Sequence, residues 1–277
     1  MIRLVDHLKS LGYTNRVARD HLISGKVRVD GWPSSDGGRL VEPARVRVDL
    51  SAPRILLGRD IVVVWHDPSA AVVLKPPGLL SVPAPGREEE STVVGQVARV
   101  FGRAETVHRL DEGTSGLLLV AMDEKTREVL KSQFEAHTVE RSYLALVRGE
   151  VRAERWTVSN ELVRDRGDGR RGSGRGGVVA TTHFERIGPV APGATLVRAV
   201  LETGRTHQVR IHLSEGGMAV LGETLYARGG PAVPRLALHA SILGFDHPVD
   251  GRRLRWESPL ADDLAAWIRQ RNTPVPP

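Results

Sequence analysis

Residues 107–120, VHRLDEGTSGLLLV, are the part of the sequence that decides its fold. A charged cluster leads into a turn with two glycines and then into an apolar run typical of a buried strand. This order predicts that Asp111 lies on a loop at a strand edge, where catalytic groups are often placed. The same residues are also an ordinary turn signal. Asp111 is therefore either a turn former or a catalytic carboxylate.

The segments on both sides of this stretch predict short strands with a few helices between them. We expect a helix from its cap at Asp123 to about Ala136, with Val129, Leu130 and Phe134 buried, and a second helix at 261–269. Strands are expected at 61–64, 71–74, 117–121, 143–148 and 195–201. Strands mixed with helices, without a regular alternation of the two, favour an α+β fold.

Residues 1–50 are predicted to form a small, separate helical module. Val5, Leu8 and Leu11 fit one face of a helix, and a second helix fits 17–23 before a strand at 26–31. Basic side chains surround this corner: Arg16, Arg19, Lys26 and Arg28. The corner is interpreted either as a solvated charged surface or as an RNA-binding face.

Composition limits the possible functions of the chain. Its 277 residues contain no Cys, which excludes disulfides, thiolate chemistry and zinc sites that need sulfur. No apolar run approaches the roughly 18 residues that span a bilayer, so we expect a cytoplasmic protein without a membrane partner, and a monomer. The net charge is +6 and Arg outnumbers Lys, which favours a polyanionic partner, although base composition of the genome gives the same bias.

Residues 164–177, RDRGDGRRGSGRGG, form one Arg- and Gly-rich insertion. Its composition is too flexible for a fixed core element. Two interpretations stay open, a disordered hairpin tip and a mobile basic flap that grips RNA phosphates.

Several motifs together resemble the RluA family of RNA pseudouridine synthases. They are HRLD and TSG within 108–116, KPPG at 75–78, RSYLALVRG at 141–149, TGRTHQVRIHL at 203–213, LHA at 238–240, FDHP at 245–248 and SPL at 258–260. They occur in the family's order and cover roughly residues 55–262. The resemblance implies a mixed, largely antiparallel sheet with flanking helices in a catalytic domain at 55–277. The corner in residues 1–50 resembles the RNA-binding domain named after the fourth protein of the small ribosomal subunit.

The resemblance also implies the reaction and the residues that carry it. Pseudouridine formation breaks the bond from uracil to ribose, turns the base and rejoins it through a ring carbon, with no cofactor or metal. Asp111 is expected either to attack the anomeric carbon or to remove a sugar proton, with Arg210 as its counter-ion and Tyr143 against the uracil. Substrate contacts are expected from the remaining motif residues: Arg109, Thr114, Ser115, Gly116, Arg205, His207 and Gln208. The partner is ribosomal or transfer RNA, with Arg109 filling the space that a flipped base vacates.

Two further residues bear on competing functions. A glycoside hydrolase using Asp111 with Glu112 or Glu223 would release free base or sugar. A non-catalytic RNA-binding protein would not need Asp111, Tyr143 and Arg210. Glu112-Gly113 and Glu223 also depart from the family's usual residues, which affects the choice of target.

Thr206 is predicted to cap a helix that continues to about Glu215 and carries Arg210. His207 and His212 point apart on such a helix, so no metal site is expected.

Overall fold

The computed structural model describes residues 1–23, 26–29, 32–33, 37–38, 40–50, 56–57, 61–86 and 88–272. Contacts divide the chain into two compact units. The first unit comprises Met1–Leu110, Gly116–Thr138 and Gly244–Ser258. The second unit comprises Asp111–Ser115, Val139–Leu243 and Pro259–Pro277. The boundary predicted between residues 50 and 55 remains a prediction.

The helices are α1 (Leu4–Ser10), α2 (Asn15–Ile23), α3 (Val93–Phe101), α4 (Glu124–Glu135), α5 (Gln208–Glu215) and α6 (Asp262–Asn272). The first strands are β1 (Ile2–Arg3), β2 (Val27–Val29), β3 (Trp32–Pro33), β4 (Leu40–Val41), β5 (Val46–Val48), β6 (Leu56–Leu57), β7 (Ile61–His66), β8 (Ala70–Lys75) and β9 (Glu105–Thr106). The remaining strands are β10 (Ser115–Ala121), β11 (Glu140–Arg148), β12 (Arg155–Val163), β13 (Gly172–Ser173), β14 (Val178–Ala191), β15 (Ala194–Leu201), β16 (Leu238–Asp246) and β17 (Arg253–Glu257).

In the first unit, β10 pairs with β8 and β8 pairs with β7, all antiparallel. Every residue of β10 is buried, which explains why it appears in the sequence as a continuous apolar run rather than an alternating one. α4 begins after Asp123, whose carboxylate accepts the Thr126 N–H at 2.7 Å, as the sequence predicts. Leu130 is fully buried, but Val129 is 37% exposed, so the predicted buried face was wrong at that position.

The N-terminal segment has an apolar cluster of its own within the first unit. Leu4 and Leu8 of α1 are fully buried, whereas Leu11 is 53% exposed because α1 ends at Ser10 and Leu11 lies in the following turn. α2 begins at Asn15, and the Thr14 hydroxyl accepts the Val17 N–H at 3.3 Å. The cluster is completed by residues of α2 and of the short strands: Ala18, Leu22, Val27, Val29, Val41 and Val46.

In the second unit, antiparallel strands lie in the order β13, β12, β14, β15, β11. Their buried side chains form one apolar cluster with Val209 and Leu213 of α5 and with Leu264 and Trp267 of α6. The insertion at 164–177 is an excursion between β12 and β14, and β13 within it pairs with β12.

The mixed, largely antiparallel sheet with flanking helices confirms the predicted fold class. All five predicted strands are present, each longer than predicted by one to three residues at an end. β12, β14, β16, β17 and α3 were not predicted. Among the described residues, no helix combines the length and apolar character needed to cross a membrane.

Candidate active site

Asp111 lies on the loop that leads into β10, as predicted. The Thr114 N–H donates to the Asp111 carbonyl oxygen at 3.0 Å and closes a turn. Directly after it, Ser115 Oγ lies 2.9 Å from Nδ1 of the buried His239. The backbone of the loop is therefore fixed, while 18% of the Asp111 side chain remains exposed.

Arg210, in the first turn of α5, holds one oxygen of this carboxylate. Its Nη1 donates to Asp111 Oδ2 at 3.1 Å. Its other nitrogens grip Glu223, with Nε to Oε2 at 2.7 Å and Nη2 to Oε1 at 2.9 Å. Burial opposes the charged guanidinium, but the hydrogen bonds and charges of Glu223 and Asp111 outweigh it and raise the pKa of Arg210 above its ordinary value. Arg210 is therefore a fixed cation between two carboxylates.

Glu223 is held as an anion by its surroundings. Burial alone would raise its pKa, but hydrogen bonds from Arg210, the charge of Arg210 and backbone N–H groups lower it. Its Oε1 accepts the N–H groups of Thr224 at 3.0 Å and Leu225 at 2.8 Å. Gly222 before it has φ +77°, and a Cβ there would lie 2.2 Å from the Arg235 carbonyl oxygen, so only glycine fits. With both oxygens committed, Glu223 is not free to act as the second acid of a hydrolase.

His207 faces the other oxygen of Asp111. Its Nε2 lies 3.7 Å from Asp111 Oδ1, and its Nδ1 lies 2.7 Å from the Tyr226 hydroxyl. Burial lowers the pKa of His207, against the charge of Asp111, so the ring is neutral at pH 7. A neutral ring that accepts the Tyr226 proton at Nδ1 carries its own proton on Nε2, towards the carboxylate. The two oxygens of Asp111 thus have different partners, a charged one at Oδ2 and a neutral one at Oδ1.

The backbone at His207 corrects the predicted start of α5. His207, not Thr206, is the N-cap residue, with φ 59° and ψ 16°, and its side chain does not cap the helix. The left-handed conformation turns its ring towards Asp111, and such a conformation is uncommon for a residue other than glycine. α5 ends at Glu215 as predicted, and the His212 ring, far from pairing with His207, bonds Thr182 and Asn160.

Tyr143 lies on β11, opposite Ala199 of β15, with its ring packed on the apolar cluster of the second unit. Burial raises the pKa of Tyr143 to about 12; the charge of Arg141 opposes this increase and that of Asp111 adds to it. The phenol therefore keeps its proton at physiological pH, and the carboxylate of Asp111 is close enough to influence it.

The other predicted substrate residues differ in their accessibility. Gln208 is 2% exposed, and its amide is fully used: Oε1 accepts the Arg205 N–H and the Thr203 hydroxyl, and Nε2 donates to the Thr181 carbonyl and the Thr182 hydroxyl. Thr114 and Ser115 are also buried, and Gly116, the second residue of β10, has φ +119°. Arg205 is exposed, and Arg109 of the first unit is exposed as well.

The predicted RNA-binding residues belong to α2 and to the region of β2. Arg16 and Arg19 are exposed on α2, and Lys26 and Arg28 are partly exposed around β2. Arg28 lies directly opposite Arg47 of β5 in the antiparallel register.

Sequence reasoning missed the structural roles of Glu223 and Tyr226. Glu223 was noted only as a departure from a family pattern and as a candidate second acid of a hydrolase, and Tyr226 was not singled out. The available signal was a Gly-Glu pair directly after the apolar residues 219–221, because a carboxylate placed there is buried and needs a cationic partner.

Comparison with known proteins identifies the family. A family model described as RNA pseudouridylate synthase matches residues 69–215. The chain belongs to this family. An uncharacterized RNA pseudouridine synthase of Bacillus subtilis, YlyB, is 36% identical over 258 residues, which cover 88% of this chain and 85% of the relative. The ribosomal large subunit pseudouridine synthase D of Zymomonas mobilis is 34% identical over 228 residues, covering 73% and 70%. The predicted RNA pseudouridine synthase activity is confirmed at the level of the family.

A solved structure supports the fold independently of close sequence similarity. Human RNA pseudouridylate synthase domain containing 1 superposes with a TM-score of 0.60 at 24% identity, covering 78% of this chain and 97% of that one. This synthase therefore has the fold of its family.

Proposed function

We propose that Asp111 is the catalytic carboxylate of this RNA pseudouridine synthase, with Arg210 as the group that keeps it ionised and oriented. The observation that carries this proposal is the 3.1 Å bond from Arg210 Nη1 to Asp111 Oδ2, backed by the two bonds from Arg210 to Glu223. A charge-assisted pair of this kind fixes a carboxylate in one orientation. Oδ1, which lies 3.7 Å from His207 Nε2, is proposed to face the substrate.

In the proposed reaction the N1–C1′ bond of a flipped uridine breaks and a C5–C1′ bond replaces it. Positive charge develops at C1′ as the first bond breaks, and an ionised carboxylate beside it stabilises that charge. C5 then loses its proton and N1 gains one, so atoms and electrons balance without a further reactant. Asp111 acts either by attack on C1′ or by removal of the 2′ proton, and both routes need it ionised.

Tyr143 is proposed to stack on the uracil during this rotation. Because its pKa is raised to about 12, the neutral phenol is a poor acceptor for the C5 proton, which favours stacking as its main contribution. Arg205 and His207 are proposed as substrate contacts, and Arg109 as the side chain that fills the space of the flipped base. Buried Thr114, Ser115, Gly116 and Gln208 are assigned to positioning the loops that carry Asp111 and His207.

Ribosomal RNA of the large subunit is the proposed substrate class. The support is the name of the Zymomonas mobilis relative, which shares 34% identity over most of the catalytic region. The basic corner of Arg16, Arg19, Lys26 and Arg28 is proposed as a second contact with this RNA. We also propose a cytoplasmic monomer that needs no cofactor, which size-exclusion chromatography and assays with dialysed protein would check.

The decisive test compares wild type with Asp111→Asn and Asp111→Ala on unmodified total RNA. We expect wild type to introduce pseudouridine at defined uridines, mapped by carbodiimide treatment and primer extension. Both variants should lose at least about 1,000-fold in rate while remaining folded, because Glu223 still pairs with Arg210 and Asp111 itself lies on a loop.

Glu112→Gln is the matched control, since Glu112 is the exposed acidic neighbour of Asp111. It should retain the activity of wild type. Pseudouridine formed by Asp111→Ala at the rate of wild type would refute the assignment of Asp111. Release of free uracil by wild type, without pseudouridine, would refute the synthase reaction itself.

A further inference from the structure

A basic cavity of about 280 Å³ lies in the second unit, next to the loop that carries His207. Its charged lining comes from two places in the chain. Arg164 and Arg171 belong to the Arg- and Gly-rich excursion, and Arg205 belongs to the loop before α5, together with Thr206. Among the residues that the structure describes, none that lines the cavity is acidic. Three arginines that line one space favour the binding of an anion.

The arginines of the excursion divide into committed and uncommitted side chains. Arg166 bonds Asp168 at 2.8 Å and approaches Glu215 at 3.8 Å. Arg164 and Arg171, by contrast, form no ion pair or side-chain hydrogen bond with any residue that the structure describes. Arg205 uses Nε for the Val179 carbonyl at 3.1 Å, which fixes the group and leaves its terminal nitrogens for a ligand.

The excursion is built to hold this position. Asp165 accepts the N–H groups of Gly167 at 2.8 Å and Gly169 at 2.9 Å, which closes the tip of the loop. At its far side, Glu215 at the end of α5 accepts the Ser173 N–H at 3.0 Å and also the Ser173 hydroxyl. These hydrogen bonds define the loop, and the basic-flap interpretation is the one developed into a proposal below.

One residue of the cavity lining is next in sequence to a residue that faces Asp111. Thr206 lines the cavity, and the next residue, His207, places Nε2 3.7 Å from Asp111 Oδ1. The charge of Arg171 also acts on His207 and Tyr226. The cavity and the residue that faces Asp111 therefore belong to the same short stretch of chain.

We propose that this cavity binds a backbone phosphate of the RNA, at the target uridine or directly beside it. Guanidinium groups pair with phosphate through two parallel hydrogen bonds, and the Thr206 hydroxyl and the positive end of α5 favour the same charge. The proposal rests on the proposed function, because it takes the ligand to be the substrate RNA. Phosphate contacts set register on a nucleic acid, so the cavity fixes which nucleotide reaches Asp111.

The test compares Arg171→Ala and the double variant Arg164→Ala/Arg171→Ala with wild type. The ligand is a labelled fragment of the RNA that binds wild type, measured by fluorescence anisotropy across a series of salt concentrations. Each lost contact should weaken binding about 3- to 10-fold at 0.1 M salt and reduce the slope of log K against log salt by about 0.7. Arg170→Ala is the matched control, because Arg170 is exposed in the same loop and does not line the cavity. Its slope should equal that of wild type.

A second arm separates RNA phosphate from free phosphate. Methylphosphonate, which is neutral, replaces one phosphate at a time around the target uridine. At one position it should weaken binding to wild type more than it weakens binding to the Arg164→Ala/Arg171→Ala variant, which has already lost two of the contacts with that phosphate. Stabilisation of wild type by inorganic phosphate, without such a position in the RNA, would overturn the proposal in favour of a free anion.

Equal slopes for Arg171→Ala, the double variant and Arg170→Ala would also overturn it. The binding measurement needs no turnover, so it judges the cavity even if wild type makes no pseudouridine. That last result would refute the proposed function alone.

Discussion

Arg210 must stay charged although it is mostly buried, and Glu223 is the residue that stabilises its charge. The guanidinium must stay charged to orient Asp111, yet only 11% of the side chain is exposed, so it has lost most of its hydration. A buried cation is stable when a carboxylate pairs with it and its remaining donors are bonded. Glu223, with 1% exposure, supplies that pairing and leaves Nη1 for Asp111. The carboxylate of Asp111 is therefore not consumed in stabilising the cation.

Replacement of Glu223 should accordingly impair both folding and catalysis. Glu223→Gln keeps the shape but removes the charge, and it directs an amide N–H₂ at the guanidinium or at backbone N–H groups. We expect the free energy of unfolding to fall by about 3 kcal/mol, because a buried charge loses its partner. We expect kcat/KM to fall about 10- to 100-fold, because Arg210 is no longer held against Asp111. Urea unfolding and single-turnover assays measure the two effects.

Glu223→Asp and Glu150→Gln complete this series. Aspartate keeps the charge at a shorter reach, so it should give intermediate values of stability and rate. Glu150→Gln changes an exposed carboxylate in the same unit and should match wild type. Equal rates for Glu223→Gln and Glu150→Gln would show that Arg210 orients Asp111 without help from Glu223.

At the level of elements, α5 is the piece that brings the site together. Its N-terminal end carries His207 and Arg210, and its buried side joins the sheet through His212. His212 lies 3.0 Å from the Thr182 hydroxyl of β14 and 2.9 Å from the Asn160 side-chain oxygen of β12. Burial lowers the pKa of His212 to about 4, so the ring is neutral in the folded protein.

The buried, neutral ring of His212 predicts that the protein loses stability in mild acid. The unfolded chain binds a proton at His212 near pH 6.5, whereas the folded chain does so only near pH 4. Since the unfolded state takes up more protons in that window, stability falls as pH drops from about 6.5 to 4. At pH 5 this effect should lower the free energy of unfolding by about 2 kcal/mol.

His212→Gln removes the titration and keeps a hydrogen-bonding side chain. It should lower stability at pH 7 but show a smaller loss between pH 7 and pH 5 than wild type, as measured by urea unfolding at both values. His183→Gln, at an exposed site on β14, should follow wild type. Parallel losses in wild type and His212→Gln would contradict a neutral buried ring.

The elements that the sequence predicted are those whose cause is local. The apolar run of β10 and the Asp123 cap of α4 are visible in a few consecutive residues, and both were predicted correctly. β12 and β14 were missed because polar and charged side chains occupy their exposed positions. The left-handed backbone at His207 could not be predicted, since it is imposed by contacts with Asp111 and Tyr226 rather than by neighbours in sequence.

For the whole molecule, contacts group distant parts of the chain in a way that composition does not reveal. The motifs gave Asp111 and Arg210, 99 residues apart, as partners, and the 3.1 Å bond between them agrees with that prediction. The two compact units are each made of several segments of the chain. Local signals in the sequence indicate only a continuous division, such as the predicted boundary near residue 50. The N-terminal segment still has its own apolar cluster, which lets its exposed cations be changed without disturbing a core.

Those cations are expected to raise the affinity of the whole protein for RNA. Arg16 and Arg19 are exposed on α2, and in a protein of net charge +6 they add to a field that attracts phosphates. The double variant Arg16→Ala/Arg19→Ala should raise KM for the substrate RNA about 5- to 20-fold at 0.1 M salt, with the larger effect on KM than on kcat, since ground-state binding is lost. Lys125→Ala/Lys131→Ala removes two exposed cations from α4 and is the control for net charge alone. If both double variants raise KM equally, the field of the whole molecule accounts for the effect and α2 is not a specific contact. If only the α2 variant does, and added salt abolishes the difference, the N-terminal segment is a docking site for RNA phosphates, separate from the residues that carry out the isomerisation.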